Sequence, residues 1–427
     1  MTTTVSVPGV FKVLTRDGYL LFLSRFIRLF AYGSLSVVLV FYLIGLGLNA
    51  SQTGLLLTLT LVGDTVISLY LTTRADRIGR RRMLIVGAIL MAAAGIAFAC
   101  TSNLVLLIIA GTIGVISPSG NEVGPFLSIE QAALSHVVPN RSRTEVFAWY
   151  TLAGSLATAM GALFAGTLTH ALGRTTMTPV GTYRVVVVLY ALVGLLLAGL
   201  FMRLSSATEV HSSEEASVLP TTMKTFFGVG RSHRVVVKLS SLFALDSFGG
   251  GFVVQSFAAY WFYLRFGVNP ATLGVIFFWA NIFAGISALL ASRLAARWGL
   301  INTMVVTHLP SNILLILVPL MPTLWLAVLV LLVRFSISQM DVPTRQSYIM
   351  AVVTKEERSA AAGITGVART TGAAISPLFV GLMFARPAWI NVPFFIAGTL
   401  KILYDLLLYK EFVAHQPPEE RSRPHAT

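Results

Sequence analysis

The sequence predicts an all-α membrane protein of twelve transmembrane helices in two pseudo-symmetric six-helix bundles. Three observations predict it. Hydrophobic residues make up 56% of the 427 and charged residues only 11%, where soluble chains carry about 25% charged. The apolar residues gather into runs close to the roughly 20 residues that a helix needs to cross a bilayer. A basic cluster between two such runs, Arg74-Ala75-Asp76-Arg77-Ile78-Gly79-Arg80-Arg81-Arg82, returns in degenerate form as Ser292-Arg293-Leu294-Ala295-Ala296-Arg297-Trp298-Gly299. Arg77 and Gly79 recur at Arg297 and Gly299, an offset of 220.

Taken in order, the predicted spans are 19–46, 51–73, 83–101, 104–136, 144–169 and 184–203, then 235–263, 271–292, 302–320, 324–351, 360–384 and 391–409. The long polar interruption, with Glu209, Glu214, Glu215 and several serines, reads as a mobile soluble linker. The domains are therefore an N-terminal half (1–203), a cytoplasmic linker (204–233), a C-terminal half (234–410) and a tail (411–427).

The repeat extends past the basic cluster. Gly47, Asn49 and Gly54 match Gly267, Asn269 and Gly274 at the same offset. Beyond span four the offset is 215: Gln131 matches Gln346, Arg143 matches Arg358, and Gly166 matches Gly381. The first half thus holds about five extra residues, and the segment 117–125, with Pro118, Gly120, Gly124 and Pro125, is where they fit. Those residues break span four, which is tolerated at that depth only where protein or a watery cavity satisfies the backbone.

The net charge of +14 sits in connections, not on a soluble basic face, so nucleic acid is excluded as a partner. Lys and Arg crowd the side that holds both ends, while the other side carries only Arg174, Arg184, Arg265 and Arg386. This bias puts both termini in the cytoplasm. Cys100 is the only cysteine, so no disulfide framework or thiol metal site is expected. Met1 to Lys12 lacks the pattern of a cleaved signal peptide. No nucleotide-binding loop appears, and His136, His170, His308 and Asp341 lack metal-ligand spacing. No enzyme activity, cofactor or metal is expected.

Asp76, Arg77, Gly79, Arg80, Arg81 and Arg82 fill a D-R-x-G-R-[KR]-[KR] pattern between spans two and three. With twelve spans, two repeats and a central polar loop, the chain resembles the major facilitator superfamily over nearly its whole length. Thr72 and Arg74 depart from the usual Gly and Leu of that loop. The resemblance implies a secondary transporter working by alternating access, monomeric, with the bilayer, a small-molecule substrate and protons as partners; the plasma or inner membrane is the default location. It implies a cytoplasmic gate of Asp76, Arg77, Gly79 and Arg80, with Asp76 facing the start of span eleven near Ser359. It also implies that spans one, four, seven and ten line a central cavity, with three, six, nine and twelve outside it. The Gly-Pro that antiporters of the superfamily show near the end of span five reads Gly161-Ala162 here.

Ionisable residues inside spans are costly and functional by default. The spans contain Asp64, Glu122, Glu130, Asp246, Asp341 and Asp405 together with Arg25, Arg28, Arg334, Arg345, Arg369 and Lys401. The candidate substrate and proton cavity comprises Arg25, Arg28, Glu122, Asp246, Arg334, Asp341 and Arg345. The offset sets Asp246 against Phe26, so Arg25 or Arg28 is expected to reach Asp246 across the cavity in one access state, and Glu122 or Asp246 to take up a proton while an arginine passes to substrate. Lys401 and Asp405, four apart on one helical face, are expected to pair with each other away from transport. Glu130 with Arg143, and Arg345 with Glu356, Glu357 and Arg358, read as bracing for the cytoplasmic gate. Tyr260-Trp261-Phe262-Tyr263 reads as an outer interface belt.

The activity expected is proton-coupled efflux of a small organic or drug-like solute. The alternatives are import or exchange of a charged metabolite, or a membrane receptor or scaffold that keeps the fold without transporting.

Overall fold

A computed structural model describes residues 14–120, 125–139, 143–209, 230, 232–354 and 357–413. Among the described residues the chain is helical throughout, apart from turns and short connections. The helices are α1 (Arg16–Gly45), α2 (Ala50–Ile78), α3 (Arg80–Cys100), α4 (Leu104–Ile113), α5 (Phe126–Val137), α6 (Arg143–Gly173) and α7 (Pro179–Phe201). They continue with α8 (His233–Gly251), α9 (Gln255–Phe266), α10 (Pro270–Trp298), α11 (Leu300–Leu317), α12 (Leu324–Ser338), α13 (Asp341–Val352), α14 (Arg358–Phe384) and α15 (Val392–Phe412). Among the described residues, eleven helical stretches are long and apolar enough to cross a membrane, and the short apolar α4 begins the remaining span.

Span four is interrupted, as its prolines and glycines require: α4 ends at Ile113 and α5 starts at Phe126. Two further breaks were not expected. Span seven divides into α8 and α9 after three consecutive glycines, Gly249 to Gly251, and span ten divides into α12 and α13 around Gln339. Helix α13 starts at Asp341, 215 residues after α5, so the repeat holds at the level of helix starts.

The repeated residues do the same local work in both copies. Asn49 Oδ1 accepts from Gln52 N at 2.8 Å, and Asn269 Oδ1 accepts from Thr272 N at 2.9 Å, each satisfying a backbone donor that the helix start leaves open. Gly79 and Gly299 have φ of +116° and +84°, a region that side chains rarely enter. Each reverses the chain between two long helices.

The chain forms two compact units. One comprises Met1–Leu48, Gly63–Val218 and Asn269–Phe278; the other comprises Asn49–Val62, Leu219–Val268 and Trp279–Thr427. The split follows the sequence halves except for two exchanged pieces, one at the start of α2 and one at the start of α10. Bare backbone explains both. A Cβ on Gly54 would lie 2.8 Å from Gly381 Cα, and one on Gly166 would lie 3.0 Å from Gly274 Cα, so only glycine permits these approaches.

In the first unit α1 packs most extensively on α6, and α3 on α7; in the second, α8 packs on α14 and α11 on α15. Small residues set the closest crossings. A Cβ on Gly161 would overlap the Phe30 carbonyl oxygen, and one on Gly372 would overlap that of Ala244. Trp261, expected at an outer interface, is instead fully buried, its Nε1–H donating to Asn391 at 2.9 Å. A fixed indole donor needs an acceptor once buried, and Asn391 supplies it.

The linker region also departs from expectation at its first residues. Ser206–Thr208 form a short turn, and Glu209 folds back on the basic loop. Its carboxylate accepts from Arg80 N at 2.7 Å and Arg81 N at 3.1 Å, a favourable place for an anion at the N-terminus of α3. Residues 210–229 lie outside the described ones.

Candidate functional site

Among the described residues each unit holds a buried charge cluster. In the first, Arg28 on α1 faces Glu130 on α5, both with no exposed side-chain surface. The contact is a two-pronged fork, with Nη1 to Oε1 at 2.6 Å and Nη2 to Oε2 at 2.7 Å. Ser24 Oγ donates to Oε1 at 3.0 Å, and the Tyr150 hydroxyl donates to Oε2. Planar guanidinium and carboxylate match well in this geometry. The Phe126 ring, first in the helix after the break in span four, lies 4.5 Å from the Arg28 guanidinium carbon, and Tyr150 lies 4.4 Å from that of Arg25. Four acceptor contacts leave Glu130 saturated.

The second unit distributes its charge more widely. Asp246, near the end of α8, receives Lys401 Nζ from α15 on Oδ1 at 2.6 Å and Arg345 Nη1 from α13 on Oδ2 at 3.2 Å. The same Arg345 nitrogen lies 3.2 Å from Asp341 Oδ2. Farther along α15, Asp405 Oδ1 lies 2.8 Å from His308 Nδ1 on α11, and Asp405 Oδ2 accepts from Asn312 Nδ2 at 2.9 Å. His308 Nε2 lies 3.8 Å from Asp246 Oδ1. One imidazole therefore stands between two carboxylates. Arg334 and Arg369 lie within electrostatic reach of Asp246 and Asp341, and their Nε atoms lack a hydrogen-bond partner among the described residues.

Several sequence expectations are corrected. Asp246 is held by Lys401 and Arg345, and Arg28 by Glu130 in its own unit. Lys401 and Asp405 do not pair with each other; they turn to Asp246 and to His308, since each finds a buried partner of opposite charge or matching donor on a neighbouring helix. Glu130 is a buried partner of Arg28; the side chain of Arg143, expected beside it, lies outside the described ones. Arg345 pairs with Asp341 and Asp246, while Glu357 accepts from Gly230 N at 2.6 Å and Ser232 N at 3.1 Å at the start of α8. Arg358 is half-buried. Glu122, Glu356 and the side chains of Asp76 and Ser359 also lie outside the described residues and side chains. In the basic loop Arg77 is exposed, and Arg80 is buried with Nη1 donating to the Thr208 carbonyl at 3.3 Å.

Sequence reading passed over His308 and Asn312. Their signal was available: an imidazole and an amide four apart share one face of a membrane-spanning helix. Tyr150 and Ser24 carried no such signal, since lone hydroxyls in spans commonly bond their own helix.

A family model described as Major Facilitator Superfamily matches residues 21–340 and 240–427. The chain is 31% identical over 423 residues to the uncharacterized membrane protein YJR124C of Saccharomyces cerevisiae, covering 93% of this chain and 94% of that one. Among solved structures, a mutant form of the nucleoside transporter NupG aligns with a TM-score of 0.75 at 12% identity, over 93% of this chain and 100% of that one. A D-xylose–proton symporter aligns with a TM-score of 0.70 at 14% identity, over 92% of this chain and 97% of that one.

Proposed function

Because the chain belongs to the major facilitator superfamily, we propose that it is a secondary transporter that moves a small organic solute by alternating access, with protons as the coupling ion. Export of an organic or drug-like solute is the direction adopted. The observation that carries the coupling is Asp246, a buried carboxylate in the interrupted span seven with cations from two other helices on its two oxygens. Two cations hold that carboxylate ionised, so a proton reaches Asp246 only as Lys401 or Arg345 leaves it, and that exchange is what ties proton uptake to movement of the helices that carry them. The D-xylose–proton symporter, a structural neighbour, supports the proton part by analogy of fold only. In this reading the protein works as a monomer in the plasma or inner membrane with both termini cytoplasmic. Asp76, Arg77, Gly79 and Arg80 act at its cytoplasmic gate.

One observation favours exchange or import of a charged metabolite as a second reading. Among the described residues Arg334, Arg345, Arg369 and Lys401 gather around Asp246 and Asp341, and the Nε atoms of Arg334 and Arg369 have no hydrogen-bond partner. A surplus of cations suits an organic anion.

The test is proton release from detergent-purified protein on adding pooled candidate solutes, in wild type, Glu122→Gln and Asp246→Asn. Release that one substitution abolishes supports coupling through that carboxylate. Binding without release from wild type overturns proton coupling, and release only with anionic solutes selects the second reading.

A further inference from the structure

We propose that His308 is a proton-binding site of this transporter, taking its proton on Nε2 and closing on Asp246 in competition with Lys401. The inference deepens the proton-coupled reading and rests on it for its role in transport.

The geometry is short by one proton. His308 is buried on α11, with Nδ1 2.8 Å from Asp405 Oδ1. Asn312 Nδ2 also lies 3.1 Å from Nδ1; with Asp405 ionised, its carboxylate accepts only, so Nδ1 donates to Asp405, Asn312 donates to the other Asp405 oxygen, and the neutral ring presents a bare Nε2. Asn312 holds the other oxygen of Asp405 at 2.9 Å, which fixes the carboxylate and with it the ring. The bare Nε2 faces Asp246 Oδ1 at 3.8 Å. Two acceptors face each other there, too far apart for a hydrogen bond and with nothing to share. A proton on Nε2 turns this opposition into a charge-assisted pair.

The oxygen that a protonated His308 would claim is already occupied. Lys401 Nζ lies 2.6 Å from the same Oδ1, while Arg345 holds Oδ2. Three cations on one carboxylate repel one another, and the contact to the flexible ammonium is the one free to give. The Lys401 stem runs along α8, where a Cβ on Gly249 would lie 3.1 Å from Lys401 Cγ and one on Gly250 would lie 3.6 Å from Nζ. These glycines immediately precede the break between α8 and α9. Movement of Lys401 therefore acts on the interrupted part of span seven.

The charged and titratable groups facing the ring come from every packed element. Helix α15 contributes Asp405, Lys401 and the edge-on ring of Tyr404 at 5.8 Å. Helix α13 contributes Asp341 with its partner Arg345, and α8 contributes Asp246; Arg334 on α12 and Arg369 on α14 act on the ring through Asp246 and Asp341. Asp405 stands at Nδ1 and Asp246 at Nε2, while Lys401, on the same Asp246 oxygen, opposes a charge on the ring. A proton entering at Nε2 is therefore felt first by Asp246 and Lys401. Linkage is reciprocal: whatever Asp246 does to proton binding at His308, the proton does to the hold of Asp246 on its cations.

The experiment is histidine-selective ¹⁵N NMR of the full-length protein in detergent from pH 5 to 9, with the His308 signals assigned by their loss in His308→Gln. The expected result is a ring with hydrogen on Nδ1 only at high pH and on both nitrogens at low pH. In Asp246→Asn the midpoint should fall by about one pH unit or more, because two cations then face the ring without their carboxylate. Lys401→Met, which retains Asp246, should raise it. An Nε2 that gains no proton across the range overturns the proposal, as does a midpoint identical in wild type and Lys401→Met. Should Asp246→Asn fail to fold, Lys401→Met decides alone. No solute is needed, so a silent His308 in a protein that still releases protons sinks this site only. A titrating His308 in a protein that binds solute without proton release sinks the coupling reading instead.

Discussion

The two charge clusters occupy related places in the repeat and carry opposite polarity. In the first unit the base is on span one and the acid on span four, Arg28 to Glu130. In the second the acid is on span seven and the base on span ten, Asp246 to Arg345. Glu130 and Arg345 are 215 residues apart, the offset of the second part of the repeat, so one position holds a carboxylate in one half and a guanidinium in the other. The surroundings differ as well. Glu130 has one cation in a two-pronged fork and two hydroxyl donors. Asp246 has two cations from different helices, and Arg345 divides itself between two acids. A fork is rigid and all-or-none; a shared set has alternatives close by. The first cluster is built to hold and the second to rearrange.

The contrast can be broken, beginning with its largest expected effect. Glu130→Ala takes the carboxylate away from the buried Arg28, and should cost about 3–5 kcal/mol of stability, read as thermal unfolding of detergent-purified protein. Adding Arg28→Met should recover most of that loss. Lys401→Met should cost less, about 1.5–3 kcal/mol, because Asp246 keeps Arg345. A loss as large as that of Glu130→Ala would mean that the second cluster is as rigid as the first.

The loops sharpen the same comparison. Glu209→Gln at the start of α3 and Glu357→Gln at the start of α8 should each cost about 1 kcal/mol. Similar losses would show that the two units are braced alike outside their clusters. The smallest effect expected is Asn269→Ala, about 0.5 kcal/mol for an exposed helix cap, matched within error by Asn49→Ala. A large difference between those two would indicate that the repeat is not energetically symmetric even at its caps.

Much of the fold was legible because its signals are local. Gly79 and Gly299 needed only their own backbone angles, Asn49 and Asn269 only the next helical turn, and Pro118, Gly120 and Pro125 only the helix they interrupt. The breaks in spans seven and ten were less legible. Gly249 to Gly251 were visible as residues, but whether three glycines bend a helix depends on what packs against them. At the clusters, sequence spacing found Asp341 with Arg345 and misjudged Lys401 with Asp405. Both are i,i+4 pairs, and spacing alone could not say which would be claimed by a third residue.

The sequence by itself determined the helical spans, the twofold repeat, the broken fourth span and membership in the superfamily. These follow from apolar run length, backbone-restricted residues and a loop motif, each confined to a few neighbouring positions. Only the tertiary structure decided that Arg28 belongs to Glu130, that Asp246 is shared by Lys401 and Arg345, and that His308 stands between two acids. A buried charge takes the partner that geometry brings within about 3 Å with its remaining hydrogen bonds satisfied, and that partner sits on another helix, about 100 residues or more away here.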